Sequence, residues 1–340
     1  MTEYIVSIGQ PAFRAKQLYE WMHIKLASSY EEMSNIPAAL KAFLVENTDY
    51  TALETVKVQT SREDGTSKYL FKLCDGNLIE SVLMHYHHGN SVCISSQAGC
   101  RMGCRFCAST IDGLARSLTP SEMLEQIYRI QKNTGERVSN VVIMGSGEPF
   151  DNFDNLLRFE KLLTDENGLN ISARNLTVST CGLVPEIYRL ADMKPQLTLA
   201  VSLHAPNDEM RRRLMPIANK YSISELMEAC RYYISKTGRR VTFEYSLVSG
   251  ENDSEACAKE LAGLVKGMNC HINLIPVNPI KERSFRQTKP AAVSHFKSIL
   301  EKNRVNATVR REMGRDIDGA CGQLRKSYME NSVASPYTEA

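Results

Sequence analysis

Apolar residues recur at helical spacing within the first fifty positions of the chain. Phe13, Leu18 and Trp21 share one face of a predicted helix. Pro37 suits the first turn of a second helix, because a proline in that position has no helical N–H bond to lose. The pattern therefore predicts a small helical module over residues 1–50.

The hydrophobic period changes to two between Thr51 and Gln97. Short runs of alternating apolar and polar residues are separated by polar turns such as Asp75-Gly76-Asn77, which is typical of an antiparallel meander. We predict a β extension over residues 51–90, and a last strand that leads the chain into the next segment. The four predicted strands are Val56–Gln59, Lys68–Leu73, Leu78–Leu83 and Val92–Ser95.

Strands and helices alternate after Leu118. Thr119 can cap a helix in which Pro120 takes the first position and Glu122 completes a capping box, and we expect this helix to run to about Thr134. With the strand before it, the chain contains about six strand–helix units. Such alternation predicts parallel strands in an α/β barrel or open sheet, with the working groups at the carboxyl ends of the strands. The later predicted strands are Asn140–Met144, Leu176–Ser179, Leu197–Leu203, Val241–Leu247 and His271–Pro276.

The composition is that of a globular protein of 340 residues, with 43% hydrophobic and 24% charged residues. A net charge of +2 does not by itself indicate nucleic-acid binding. Three arginine clusters could contact phosphates or simply be solvated: Arg211-Arg212-Arg213, Arg239-Arg240 and Arg310-Arg311.

The N-terminus lacks a signal-peptide pattern, and no apolar run approaches the ~18 residues of a membrane span. We therefore expect a cytoplasmic protein that does not bind membranes. The chain has ten cysteines. In a reducing compartment they are expected to be thiols, metal ligands or catalytic groups rather than a disulfide framework.

Three of the cysteines, Cys100, Cys104 and Cys107, are spaced CxxxCxxC among small residues. Thiolates are soft ligands suited to zinc or to an iron–sulfur cluster. A structural zinc site needs a fourth protein ligand, and no Cys or His follows Cys107 in the usual paired spacing. The motif resembles that of the radical S-adenosylmethionine (SAM) enzymes, in which three cysteines hold a [4Fe–4S] cluster. A zinc site completed from elsewhere in the chain remains the alternative.

Polar or small residues follow four of the predicted strands. Any one of these motifs could be an ordinary turn, and a lone His204 is more often a hydrogen-bonded structural histidine. Because the ends of parallel strands converge, the four together predict a pocket for a polar cofactor. The motifs are Gly145-Ser146-Gly147-Glu148-Pro149, Ser179-Thr180, Ser202-Leu203-His204 and Pro276-Val277-Asn278-Pro279.

The tail contains Cys321 between small residues, in the stretch Met313–Leu324. An exposed loop of this kind suits a reactive thiol. An incidental loop cysteine is the alternative.

Taken in order, these motifs resemble the RlmN/Cfr family of radical SAM RNA methyltransferases along nearly the whole chain. The resemblance extends from Phe13-Arg14-Ala15-Lys16-Gln17 to Ala320-Cys321-Gly322-Gln323-Leu324. It implies an RNA-binding helical module, a partial (β/α)6 radical SAM barrel over residues 91–305, and a C-terminal strand and loop over 306–340 that carries the methyl-acceptor cysteine.

The resemblance also implies roles for individual residues. The cluster ligands would be Cys100, Cys104 and Cys107, and the SAM site would contain Gly147, Glu148, Ser179, Ser202, Leu203, His204 and Asn278. Cys321 would carry the methyl group, Cys93 would be its partner thiol and Glu80 a proton acceptor, although a strand glutamate is otherwise most simply a surface carboxylate.

The family mechanism uses two SAM molecules. One methylates Cys321, and the second gives a 5′-deoxyadenosyl radical that takes hydrogen from the S-methyl group, so that the resulting carbon radical adds to adenine. Cys93 then attacks Cys321, forming a disulfide and releasing the RNA. The implied partners are 23S rRNA, tRNA and an electron donor such as flavodoxin or ferredoxin, and we expect a monomer.

Two branches of this family are possible. The housekeeping branch methylates carbon 2 of an adenosine in 23S rRNA near the peptidyl-transferase centre and, in some members, the adenosine next to the anticodon of tRNA. The resistance branch methylates carbon 8 of the same rRNA adenosine. Gly147-Glu148-Pro149 and Pro276-Val277-Asn278-Pro279 favour the housekeeping branch. A zinc-stabilised RNA-binding protein and a radical SAM enzyme for a small molecule are the rival hypotheses.

Overall fold

The N-terminal module is helical, as predicted. The computed structural model describes residues 1–278, 285–317 and 322–333. The module contains three helices, α1 (Thr2–Ser7), α2 (Phe13–His23) and α3 (Ala38–Asn47). They enclose a hydrophobic cluster of their own, which includes Leu18, Met33 and Leu40.

Four antiparallel strands follow, as the alternating pattern predicts. They are β1 (Glu54–Thr60), β2 (Ser67–Lys72), β3 (Leu78–Tyr86) and β4 (Gly89–Ile94). A separate hairpin of β5 (Gln97–Gly99) and β6 (Leu114–Ser117) encloses the cysteine motif. The meander therefore leads directly into the cysteine loop.

The rest of the chain alternates between helices and parallel strands. The helices are α4 (Pro120–Thr134), α5 (Phe153–Leu163), α6 (Val184–Asp192), α7 (Asp208–Leu214), α8 (Ile223–Thr237), α9 (Glu255–Leu264) and α10 (Pro290–Lys302). The strands are β7 (Val138–Ile143), β8 (Leu176–Thr180), β9 (Thr198–Ser202), β10 (Val241–Leu247), β11 (Cys270–Pro276) and β12 (Ala307–Val309). A last helix, α11, covers Gln323–Val333.

The meander and the parallel strands form one continuous sheet. Its order is β1-β2-β3-β4-β7-β8-β9-β10-β11-β12. Strand β4 is the junction, because it pairs antiparallel with β3 and parallel with β7. Within the described ranges β1 and β12 are the two edges, so the sheet stays open. The predicted α/β class with a partial, unclosed barrel is confirmed.

The capping box predicted for α4 is also confirmed. Thr119 accepts a hydrogen bond from the Glu122 backbone N–H, and the Glu122 side chain accepts one from the Thr119 N–H. The helix begins at Pro120 and ends at Thr134, where Gly135 takes the left-handed conformation that closes many helices. The sequence pattern did not predict α1, α7 or α11.

No helix among the described residues combines the length and the apolar character that crossing a bilayer requires.

The helical module packs against α4 through polar contacts. His23 Nδ1 lies 2.6 Å from the Tyr128 hydroxyl, and Lys132 forms a 2.8 Å ion pair with Glu32. Burial lowers the pKa of His23 to about 4, although Asp165 acts in the opposite direction. His23 is therefore neutral at pH 7 in the folded protein.

We predict that this contact weakens in acid. In the unfolded chain a histidine protonates near pH 6.5, so between pH 6.5 and 4 the unfolded state binds a proton that folded His23 does not. The stabilisation is complete above pH 6.5 and is lost as the pH falls towards 4. The free energy of unfolding should fall from pH 7 to pH 5 in both proteins. This decrease should be about 1–2 kcal/mol smaller in His23→Gln than in the wild type. Denaturant unfolding at both pH values measures this difference.

His295→Gln serves as the matched control, because His295 is exposed on α10. An identical pH dependence in the wild type and His23→Gln would contradict the prediction.

Candidate active site

A buried glutamine of α4 fixes the chain where it leaves β4. The Gln126 side chain accepts a hydrogen bond from the Ser95 backbone N–H (2.8 Å) and donates one to the Ser95 carbonyl (3.0 Å). The Ser95 hydroxyl donates to the Glu80 carbonyl and accepts from the Ser146 N–H. The start of the cysteine segment is therefore held beside the loop that follows β7.

These two loops approach each other unusually closely. The Gln97 side chain accepts from the Glu148 N–H (2.8 Å), and the Gln97 N–H donates to the Ser146 carbonyl (3.1 Å). Gly147 lies between them with φ of +107°, and a Cβ at this position would stand 2.6 Å from the Gln97 Cβ. The close approach and the positive φ both require glycine.

The cysteine loop begins at the β5–β6 hairpin and folds back on itself. The Cys100 N–H donates to the Gly113 carbonyl (2.9 Å), at a point where a Cβ on Gly99 would lie 2.0 Å from the same oxygen. Further along, the Cys107 N–H donates to the Cys104 carbonyl (3.1 Å). The hairpin and this tight turn shape the loop, and its three cysteines line the same cleft.

The loop faces the carboxyl ends of the parallel strands across a cleft of about 260 Å³. Leu203 is the exception among the predicted SAM-site residues, because its side chain is fully buried in the core. The other predicted residues line this single cleft: Cys100, Cys104, Cys107, Gly147, Glu148, Ser179, Ser202, His204 and Asn278.

Burial favours the protonated form of two of the three thiols, Cys100 and Cys104. Burial raises the pKa of Cys100 to about 12 and also raises the pKa of Cys104. Among the described residues, no group of three His, Cys, Asp or Glu side chains is arranged to hold a metal ion. A [4Fe–4S] cluster needs a wider spacing, since each thiolate binds a different iron. Three cysteines that line one cleft provide the thiolate donors that such a cluster uses.

Glu148 is a buried carboxylate at the same end of the sheet. One oxygen accepts from the Phe150 N–H (3.0 Å) and the other from the Cys181 N–H (2.7 Å). Burial raises the pKa of Glu148, although these hydrogen bonds favour the ionised form. Such a carboxylate is suited to a cationic group of a ligand.

His204 is both hydrogen-bonded and part of the cleft wall. It has φ of +56°, and its Nδ1 accepts from the Ser246 N–H (2.9 Å). Its ring meets the Phe106 ring edge to face, with centroids 4.7 Å apart. Burial, with a further contribution from nearby Arg211, lowers the pKa of His204 to about 3. The imidazole is therefore neutral and its Nε2 carries the proton.

Cys93 lies in a second, adjacent cleft. The two clefts share four lining residues, namely Ile275, Pro276, Asn278 and Arg310. No disulfide joins any two of the nine cysteines that the structure describes. Cys321, the predicted partner of Cys93, lies outside the described residues, as does Pro279 of the last strand-end motif.

Glu80 is not the surface carboxylate of the simplest interpretation. It is buried and forms a 3.1 Å ion pair with the fully buried Lys68. Its two oxygens also accept hydrogen bonds from the backbone N–H groups of Gly322 (2.6 Å) and Arg325 (2.7 Å). Because β3 is covered on both faces, alternation along this strand did not indicate burial.

Sequence reasoning missed several polar residues of the cleft. Glu244 and Ser246 lie on β10 and Arg310 follows β12, and all three line the cleft. The period of two that places Glu244 and Ser246 on the same face was present in the sequence and could have identified them. Burial raises the pKa of Glu244, which accepts a hydrogen bond from Asn273.

Comparison with known proteins identifies the family. The model of the Radical SAM superfamily matches residues 94–259, and that of the ribosomal RNA large subunit methyltransferase N-terminal domain matches residues 1–49. The crystal structure of a radical SAM methyltransferase from Sphaerobacter thermophilus is 45% identical, with a TM-score of 0.91 and 95% of each chain covered.

Two curated relatives are similar over almost their whole length. The protein of Lachnospira eligens is 67% identical over 97% of this chain and 95% of its own, and that of Lachnoclostridium phytofermentans is 58% identical over 96% and 92%. Both carry the name "Probable dual-specificity RNA methyltransferase RlmN". The three thiols in the cleft and these matches lead to one conclusion: the chain belongs to the RlmN family of radical SAM RNA methyltransferases.

Proposed function

We propose that this protein methylates carbon 2 of an adenosine in 23S rRNA and of the adenosine next to the anticodon in some tRNAs. The observation that carries the proposal is the cleft in which the three thiols of the CxxxCxxC motif meet the strand-end residues. The names of the relatives, which describe dual-specificity RNA methyltransferases, support the choice of two RNA substrates.

In this proposal Cys100, Cys104 and Cys107 hold a [4Fe–4S] cluster, which with SAM supplies a 5′-deoxyadenosyl radical when bound. The residues at the ends of the strands hold SAM. Because the Leu203 side chain is buried, only its backbone could contribute. The proposed SAM-site residues are Gly147, Glu148, Ser179, Ser202, Leu203, His204 and Asn278.

The charges of the cleft support this assignment. Glu148 is a buried carboxylate that would be compensated by the ammonium group of SAM. His204 is neutral, so it offers its Nε2–H and the face of its ring without adding a charge. Ser179 and Ser202 provide hydroxyl groups suited to the hydroxyls of a ribose.

The methyl group reaches the RNA through Cys321. Its thiolate displaces S-adenosylhomocysteine from one SAM and becomes S-methylcysteine. The cofactors, when bound, would supply the radical that removes a hydrogen atom from this methyl group, so that the methyl carbon held on the Cys321 sulfur could bond to carbon 2 of adenine. A one-electron acceptor and a base would remove one electron and one proton from the adduct. The Cys93 thiolate would then attack the Cys321 sulfur, so that the carbon–sulfur bond breaks with its electron pair leaving on the methylated base, and a disulfide forms.

Two further groups are part of the proposal. Glu80 is proposed as the proton acceptor, and it accepts hydrogen bonds from Arg325 and from Gly322, the residue that follows Cys321 in the sequence. A low-potential protein such as flavodoxin or ferredoxin is proposed as the electron donor for the cluster. A dithiol reductant would reopen the disulfide after each turnover. We propose a monomer as the active form.

The expected product of the reaction is 2-methyladenosine. The full-length protein is reconstituted without oxygen and incubated with SAM, a reductant and protein-free 23S rRNA or tRNA, and the digested RNA is analysed by mass spectrometry. 8-Methyladenosine would assign the protein to the resistance branch instead. A protein that holds its cluster and yields neither base in either RNA would refute the proposed substrates.

Cys93→Ala should trap the RNA on the enzyme. Without the attacking thiol, the bond between Cys321 and the methylated base cannot be broken by disulfide formation, so a covalent adduct accumulates. Denaturing gel electrophoresis with labelled RNA detects it. Cys74→Ala is the matched control, because Cys74 is an exposed thiol in the turn after β2. Normal product release by Cys93→Ala would show that the disulfide step is wrong.

Gly147→Ala should weaken SAM binding while the cluster is retained. The new Cβ would collide with Gln97 and displace the loop that carries Glu148. We expect at least a tenfold loss of SAM affinity, measured by calorimetry on the reconstituted protein.

Gly135→Ala is the control for this substitution. Gly135 also has positive φ (+70°), but nothing lies within 4 Å of its Cβ position. It should cost about 1–2 kcal/mol of stability through backbone strain and leave SAM affinity unchanged. Equal SAM affinities in the two variants would contradict the steric argument.

A further inference from the structure

Arg211, in α7, is a fully buried cation beside the proposed cluster site. Its guanidinium donates hydrogen bonds to the carbonyls of Cys181 (2.7 Å), Ser202 (3.3 Å) and Leu203 (3.3 Å). Gly182 makes room for it, since a Cβ there would lie 3.1 Å from Arg211 Nη2. These contacts hold the guanidinium at the carboxyl ends of β8 and β9.

The charge of Arg211 is not neutralised by the described residues. None of their carboxylates lies within ion-pair distance of the guanidinium, and its Nη1 is buried without a hydrogen-bond partner. Arginine does not lose its proton in proteins. A buried charge without a counter-ion is costly, and three carbonyl dipoles compensate for only part of that cost. A negatively charged group next to the Arg211 guanidinium would therefore be stabilising.

The cysteine loop is the neighbour that would become anionic. Cys104 packs in a small cluster with Cys181, Leu214 and Met215, which surround the end of α7. The Arg105 N–H also donates to the Leu214 carbonyl (2.9 Å), so the loop is attached to the helix that carries Arg211.

We propose that Arg211 is the fixed counter-charge of the iron–sulfur site and raises its reduction potential. This inference rests on the proposed function. Three thiolates bring negative charge into a buried site, and one-electron reduction by a low-potential donor adds another. A fixed positive charge nearby stabilises the reduced form more than the oxidised form. The two exposed neighbours, Arg212 and Arg213, do not share this environment.

The test compares three variants of the full-length, anaerobically reconstituted protein: Arg211→Gln, Arg211→Lys and Arg212→Gln. The cluster of each is titrated with dithionite in the absence of SAM and RNA, and its reduced form is followed by electron paramagnetic resonance. Arg211→Gln should reduce the equilibrium constant for one-electron reduction at least tenfold, which is about 59 mV. Arg211→Lys, which keeps the charge, and Arg212→Gln should change it less than threefold.

A potential of Arg211→Gln equal to that of Arg212→Gln would overturn the proposal and leave Arg211 only a structural role. If Arg211→Gln fails to hold a cluster, the Arg211→Lys variant distinguishes the counter-charge from a purely structural role. Lysine cannot reproduce the fork of hydrogen bonds to three carbonyls. A lysine variant with a cluster of wild-type potential supports the counter-charge, and one without a cluster refutes it. A wild-type protein that binds no cluster would instead refute the proposed function itself.

Discussion

The close approach of the loops after β4 and β7 is the constraint on which the site depends. Strand β4 ends the meander and begins the parallel sheet, so the chain leaving it must turn towards the strand ends. The Gln126 side chain forms hydrogen bonds with the Ser95 backbone. Gln97 forms hydrogen bonds with the backbone of the two residues that flank Gly147. Any side chain at Gly147 would separate the cysteine hairpin from the loop carrying Glu148. The proposed cluster ligands and the carboxylate proposed to bind SAM are therefore positioned by the hydrogen bonds of Gln97 to this loop.

The electrostatics of the cleft follow from burial. Burial raises the pKa values of Cys100, Cys104 and Glu148, so the site without its ligands disfavours negative charge. Burial lowers the pKa of His204, so its imidazole is neutral. Each proposed ligand reverses one of these tendencies, because a cluster displaces the thiol protons and an ammonium group pairs with the carboxylate.

Local sequence patterns predicted the helices and strands well where the segment had a clear hydrophobic period or a helix-capping residue. The capping box of Thr119 and Glu122 predicted the start of α4, and alternation predicted β1 to β4. Helix α7 was missed because its seven residues are too short for an amphipathic pattern, although Asn207 caps it. Arg211 was interpreted within a solvated or phosphate-binding cluster. Its burial depends on carbonyls from β8 and β9, which a linear sequence does not bring together.

The candidate site was predictable where the motifs follow strands, and less so where distant segments meet. The sequence predicts only that the meander is an extension of the sheet domain. In the structure, the meander also forms hydrogen bonds with the C-terminal residues on both sides of residues 318–321. Before this segment, Asp316 accepts hydrogen bonds from Ser61 and from the Arg62 N–H. After it, Glu80 accepts those from Gly322 and Arg325.

The ion pair of Glu80 with Lys68 explains why the second anchor can be buried. Both side chains belong to the meander, on β3 and β2, and the ammonium group balances the carboxylate charge away from solvent. Removing either partner would leave an uncompensated buried charge. The same carboxylate also binds the first N–H groups at α11, where a negative charge is favoured by the helix dipole. The meander therefore determines where the segment containing Cys321 begins and ends, although its residues lie far from the cysteine motif in sequence.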